Sequence, residues 1–201
     1  MKKTLMLLAL ALGFGSAAQA TNLIINGNFE SGLDHWSYDG VVNWTGPAPY
    51  FGGGTPADNG LGMIAFNAGD QTANGQLWQS FATTVGHTYK VSLDYGTNNG
   101  NTQKLRTVVS VFEGASLFKD VFEASGPTLS HFDFEFTATK TSTTLGFIDL
   151  PANYTFSTDG LLDNVVVTDT AEVPSDVPEP ASIALLSLGL AGMGALRRRQ
   201  R

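Results

Sequence analysis

The chain has 201 residues, with 18 acidic against 11 basic side chains, a net charge of −7 and no cysteine. That balance argues against a nucleic-acid-binding surface, which needs clustered Lys and Arg, and the absence of thiols excludes disulfides, cysteine nucleophiles and thiolate metal sites. Residues 21–177 are more acidic still: Lys2, Lys3 and four arginines fall in the terminal segments, leaving five basic against 17 acidic residues and a net charge of about −12, a surface suited to hard cations.

At the N-terminus, Lys2-Lys3, an apolar run from Leu5 to Phe14 and the small residues closing at Ala18-Gln19-Ala20 are the charged, apolar and cleavage regions of a secretory signal. Residues 1–20 are therefore predicted as a signal helix handled by the secretion machinery and signal peptidase, with the mature chain starting at Thr21.

The stretch from Thr21 to Val177 suits one domain with a sizeable core. Tyr89, Val91, Leu93 and Tyr95 alternate with Lys90, Ser92 and Asp94, and Phe132, Phe134 and Phe136 alternate with Asp133 and Glu135. This period of two is that of strands with one buried face. Further strands are predicted at Leu23 to Ile25, Leu61 to Phe66, Gln76 to Thr83, Leu105 to Phe112, Thr144 to Ile148 and Leu162 to Val167, with Gly, Asn, Asp, Pro and Thr clusters between them. No comparable segment carries a helical stripe, so the fold class is all-β, a sandwich over residues 21–168. Residues 169–177, acidic and containing Pro174, read as a linker.

Two ends of this domain carry its most specific patterns. Asn22-Leu23-Ile24-Ile25-Asn26-Gly27-Asn28-Phe29-Glu30, followed by Trp36, resembles the opening of galactose-binding-like jelly rolls, among them carbohydrate-binding modules of glycoside hydrolases; Gly160-Leu161-Leu162-Asp163-Asn164-Val165-Val166-Val167 resembles their closing strand. Gln79-Ser80-Phe81, Gly86-His87-Thr88-Tyr89 and Val91-Ser92-Leu93-Asp94-Tyr95 fit the pattern between. The resemblance implies a jelly-roll β-sandwich in which first and last strands are neighbours and a calcium ion (Ca2+) is often held between them, with Glu30 and Asp163 as the matching carboxylates. Calcium takes six to eight oxygens, and bridging the termini would stabilise a sandwich without disulfides. The other reading leaves Glu30 in solvent and makes Asp163 a turn cap.

Candidate ligand contacts follow from the aromatic and amide positions. Trp36 stands where the resembled pattern has a core tryptophan. Between Asp39 and Asn59, Trp44, Tyr50 and Phe51 are interspersed with Gly and Pro, and aromatic planes there would stack on the apolar faces of sugar rings. The alternative folds those rings back onto one end of the sandwich. Asn98, with its neighbours Asn99 and Asn101, and Arg106 offer amide donors and a guanidinium for a polyol or acidic sugar, although Asn and Gly are also ordinary turn residues. Trp78, within a strand, faces either in or out.

Nothing points to catalysis. His35, His87 and His131 lack the close spacing of a zinc site, Ser80 and Ser110 lie in strands rather than in a nucleophile elbow, and acid pairs such as Asp94 with Glu113 are expected by chance among 17 acids. The chain is read as a non-enzyme.

The C-terminus completes the itinerary. Pro178-Glu179-Pro180 precedes 16 uncharged residues from Ala181 to Leu196, then Arg197, Arg198, Arg199 and Arg201. As a helix the apolar run reaches about 24 Å, slightly short of a bilayer core, with its basic end cytoplasmic. Residues 178–201 resemble the PEP-CTERM sorting signal of polysaccharide-producing bacteria. The resemblance implies a membrane-type sorting helix, recognition by an exosortase, and a chain held in the inner membrane before it reaches the envelope, cell surface or extracellular matrix. Two functions remain at this level: a carbohydrate-binding module for a polysaccharide, or a calcium-stiffened structural component that contacts other proteins.

Overall fold

The computed structural model of the protein describes residues 21–45, 62–112, 115–126 and 128–171. The predicted signal helix, the sorting helix with its Pro-Glu-Pro motif and arginines, and the segment holding Tyr50 and Phe51 lie outside the described residues. Thr21–Ala171 forms one compact unit.

Ten strands are found among the described residues: β1 (Ser37–Asp39), β2 (Val42–Trp44), β3 (Ile64–Phe66), β4 (Gln76–Ala82), β5 (Thr88–Thr97), β6 (Thr102–Phe112), β7 (Ala115–Ser125), β8 (Leu129–Thr137), β9 (Ser142–Asp149) and β10 (Gly160–Asp169). They build two five-stranded antiparallel sheets, ordered β1-β4-β9-β6-β7 and β2-β3-β10-β5-β8. The predicted all-β sandwich is the observed architecture. Period-two alternation drives it: Leu77 and Phe81 of β4, Leu105 and Val109 of β6, and Leu145 and Phe147 of β9 are buried against Val91, Leu93 and Tyr95 of β5 and Leu162, Val165 and Val167 of β10. Trp36 belongs to this core. Its indole donates to the Asn26 carbonyl at 3.0 Å and packs against Phe29 and Phe147, with ring centroids 5.3 and 6.2 Å away.

The segment predicted as a first strand, Leu23 to Ile25, lies along β10 without forming a ladder. Leu23 N donates to Val167 O and Val165 N to Gly27 O, each at 2.8 Å, while the Asn22 side chain bridges Val165 O and Val167 N. Gly27 is needed for this approach, since a Cβ there would sit 2.0 Å from Val165 O. Gln79 of β4 supplies the missing strand partner, its amide accepting from Ile25 N at 2.8 Å and donating to Ile25 O at 2.9 Å. The N-terminal segment is thereby tied to both sheets.

Three strands were not predicted. β1 and β2 are only three residues long, too short to display a period. β7 is long, but its large apolar residues fall at 117, 118, 121 and 122, a spacing nearer to a helical stripe than to alternation. Its partner overrides that preference: β7 pairs with β6 from Thr102↔Ser125 to Phe112↔Ala115, with shifts near Ser110 that absorb the change of phase. Phe118 stacks on Phe134 at 3.9 Å and Phe122 on Phe132 at 4.8 Å, closing the side of the sandwich where β7 and β8 are edges. At the opposite end of β10 from Gly160, His87 Nδ1 and Asp169 Oδ2 approach to 2.7 Å and Thr170 N donates to Thr88 O. β10 thus runs one residue beyond the predicted sandwich boundary.

Candidate functional site

Alternation along β4 decides where Trp78 goes. Leu77 and Phe81 are in the core and Gln79 is turned inward to Ile25, so Trp78 lies on the outer face with Gln76 and Ser80. Across the sheet its direct partner on β9 is Gly146, whose partner on β6 is Val108. Gly146 places no side chain between the indole and Val108, and a Cβ there would meet nothing nearer than 3.8 Å. The result is a depression of about 180 Å³ lined by Trp78, Gln76, Val108, Ser110, Thr144 and Ile148. Its floor is apolar, and one side carries hydroxyls, with Ser80 Oγ and Thr144 Oγ1 2.7 Å apart.

Arg106 joins this face. It lies opposite Ile148 and Val121, two residues along β6 from Val108, and makes no ion pair among the described residues. The other predicted contacts are elsewhere. Trp44 is part of β2, the edge strand of the other sheet; its indole N–H is spent on Phe29 O at 2.9 Å, and 41% of the residue is exposed. Asn98 is a loop clasp: its amide donates to Asp159 Oδ2 at 3.2 Å and accepts from Asp159 N at 3.0 Å. Trp44, Asn98 and Arg106 therefore do not form one cluster. Trp78, not placed by sequence reasoning, is the aromatic of the depression; the parity of Leu77 and Phe81 signals its direction, but the inward polar Gln79 masks that signal.

The carboxylates of the described unit are mostly engaged. Asp94 is held between His131 Nδ1 at 2.7 Å and Asn164 Nδ2 at 2.9 Å. Glu113, its partner in the acid pair weighed above, lies outside the described residues. Asp149, inside the sandwich, is pushed up to about 6, chiefly by burial and further by the charge of Asp159, against hydrogen bonds from Asn153 and the backbone at Leu150. Burial likewise pushes the Tyr95 phenol up, with the Asp149 charge adding to it.

For calcium, Glu30 Oε1 accepts from Gly62 N at 3.2 Å, and Asp163, 1% exposed, accepts from Asn164 N at 2.7 Å. Gly62 precedes β3, whose Ile64 pairs with Leu162, so the Glu30 contact lies close in register to Asp163. Among the described residues no three of His, Cys, Asp and Glu are gathered as a metal site. A calcium ion here would draw most of its oxygens from backbone carbonyls, which is compatible with its ligand chemistry.

Residues 176–199 match the PEP-CTERM protein-sorting motif. No curated protein matches the chain in sequence. Solved structures match in fold. One is a family 61 carbohydrate-binding module in complex with beta-1,4-galactotriose, with 17% identity and TM-score 0.54, covering 75% of this chain and 99% of that one. The N-terminal cellulose-binding domain of Cellulomonas fimi beta-1,4-glucanase C has 16% identity and TM-score 0.52, covering 77% and 100%. In a Clostridium thermocellum xylanase 10B, determined as CBM22-1 and GH10 modules with xylohexaose, the match has 18% identity and TM-score 0.51 and covers 75% of this chain but 29% of that one. The described unit has the jelly-roll fold of carbohydrate-binding modules. The chain thus combines that fold with a C-terminal sorting motif.

Proposed function

We propose that this protein is an exported, non-catalytic carbohydrate-binding protein that engages a polysaccharide through the outer face of the β1-β4-β9-β6-β7 sheet. The observation that carries the reading is Trp78 beside the gap left by Gly146. A pyranose ring laid in the depression would stack its C–H face on the indole, while Gln76, Ser110, Thr144 and Arg106 reach its hydroxyls. The sorting motif supports a setting in the envelope, at the surface or in the extracellular matrix, with exosortase processing the tail after export. Galactotriose and xylohexaose, present in two of the fold neighbours, are sensible first probes.

The test is affinity electrophoresis of the full-length chain, purified in mild detergent, through gels containing soluble xylan, galactan or β-glucan. Retardation by at least one polymer is expected, with loss in Trp78→Ala and in Gly146→Val, which fills the depression without crowding the backbone. A wild-type chain retarded by none of them would sink the glycan reading and leave the structural-component reading in its place. A calcium ion between Glu30 and Asp163 is a separate proposal, supported by a buried carboxylate in the strand that the N-terminal segment follows. Thermal unfolding with calcium and with excess chelator checks it; an unchanged Tm refutes a stabilising ion.

A further inference from the structure

Among the described residues the two sheets end in four edge strands, β1 and β7 in one and β2 and β8 in the other. β1 and β2 have three residues each, and β8 carries Asp133 and Glu135 with no Lys or Arg. β7 is different: it runs for 11 residues, is paired on one side only, and carries both signs of charge. Its pairing with β6 fixes which side chains face outward. Lys119, Val121 and Glu123 stand opposite Val108, Arg106 and Lys104, while Phe118 and Phe122 turn inward to stack on β8. The ion pair of Glu123 with Lys104 at 3.0 Å confirms the shared outer face. Val121 is thus an apolar side chain left 39% exposed, midway between a lysine and a glutamate. An edge that only needs protection requires charge; charges of opposite sign placed evenly about one exposed apolar residue are what a self-complementary contact requires.

Strand geometry turns that pattern into a single register. Residues directly opposite in an antiparallel pair lie on the same face, and two copies related by a two-fold axis normal to the sheet keep outer face beside outer face. Each permitted register is then named by the residue on the axis. With Lys119, Asp120 or Glu123 on the axis, like charges meet. With Phe118 or Phe122 there, every charge faces an uncharged side chain. Val121 on the axis alone brings opposite charges together: Lys119 of each copy faces Glu123 of the other, Val121 faces Val121, and residues 118–124 pair within the regular part of β7. Two effects oppose this pairing. Asp120 Oδ1 accepts from Val121 N at 2.7 Å in the single copy and must yield to the incoming strand. The net charge of about −12 over residues 21–177 also repels a second copy, so the association is reversible.

We propose that β7 is a docking strand for a second copy of this chain, the two joining antiparallel across a two-fold axis at Val121 and merging their five-stranded sheets into one of ten strands. The absence of cysteine from the chain permits a clean test, since any thiol introduced is the only one present. Single-cysteine variants of the full-length chain in mild detergent would be oxidised with glutathione disulfide and read on non-reducing gels; the terminal segments are the same in every variant. Opposed residues on antiparallel strands have Cα atoms about 4.5–5.5 Å apart, within disulfide reach, whereas Lys119 and its own copy are offset by about 13 Å in this register, as are Glu123 and its copy. Val121→Cys should therefore cross-link rapidly. Lys119→Cys and Glu123→Cys should each fail alone, and the double variant carrying both should cross-link. In the Val121→Cys background, Lys119→Glu should slow cross-linking about fivefold, because two cross-strand charge pairs turn from attractive to repulsive, and adding Glu123→Lys should restore it. That rescue also shows that the charge variants fold. Val121→Cys cross-linking no faster than Lys119→Cys or Glu123→Cys overturns the proposal, whether all three react or none does. A rate unmoved by Lys119→Glu overturns it as well.

Discussion

Asp149 is a buried carboxylate whose folded-state value is raised to about 6 by burial and by the charge of Asp159. The raised value means that the folded state favours the proton more than the unfolded state does. Its stabilising contribution is complete below the ordinary carboxylate range near 4 and is lost as pH rises through about 6. A shift of roughly two units corresponds to on the order of 2–3 kcal/mol withheld at neutral pH. Asp149→Asn keeps the Oδ1 acceptor for Asn153 and should raise Tm at pH 7.5 while changing it little at pH 4, as read by thermal unfolding across pH. A lower Tm for the variant at pH 7.5 would refute the assignment. At this scale the sequence was partly legible: the Trp36 position follows from the pattern it closes, but Asp149 ends a strand no differently from many surface acids. Its electrostatic surroundings include Tyr95 of β5 and Asp159 of the loop before β10, neither of which its own strand reveals.

Among the elements, β7 is the longest edge strand of the described residues. It is an 11-residue edge strand bonded on one side only, and most of its residues are exposed. Free N–H and C=O groups along such an edge invite pairing with another chain, which charged residues such as Lys119, Asp120 and Glu123 oppose. Its cross-sheet attachment is the stacking of Phe118 and Phe122 on Phe134 and Phe132. Phe122→Ala should cost about 1–2 kcal/mol, as expected for a half-buried ring with stacking partners, and should speed amide hydrogen exchange in β7 more than in β9. Uniform acceleration across both strands would refute a local role. Here the sequence was legible where each strand buries one whole face, as in β5, β8 and β9. It was opaque where a strand gains its place from a partner, as in β7, or is too short for a pattern, as in β1 and β2. The candidate site followed the same division: Arg106 and Trp78 share a face only because β4, β9 and β6 stand side by side, an order that local alternation does not encode.

For the whole molecule, two buried carboxylates of opposite tendency and a one-sided charge set how stability depends on solution conditions. Burial would raise the Asp169 carboxyl, but hydrogen bonds from His87 and the Ala171 amide, the His87 charge and a hydrogen bond from Tyr89 outweigh it and hold the carboxyl below the usual range. Its contribution, a clasp between β5 and the end of β10, is therefore present above about pH 4 and is lost as pH falls through the lowered value. Asp149 acts on the other side, and the net charge of about −12 over residues 21–177 adds self-repulsion that grows as carboxylates ionise. Tm should accordingly rise from pH 3 to a maximum near pH 5 and decline toward pH 8. The decline has two separable parts. Repulsion between exposed acids is screened at a Debye length of about 3–10 Å, so 0.5 M NaCl should recover that part, whereas the buried Asp149 is insensitive to salt and should be relieved only by Asp149→Asn. Full recovery of the pH 8 value by salt alone in the wild type would show that burial of Asp149 costs nothing and that surface charge accounts for the whole decline.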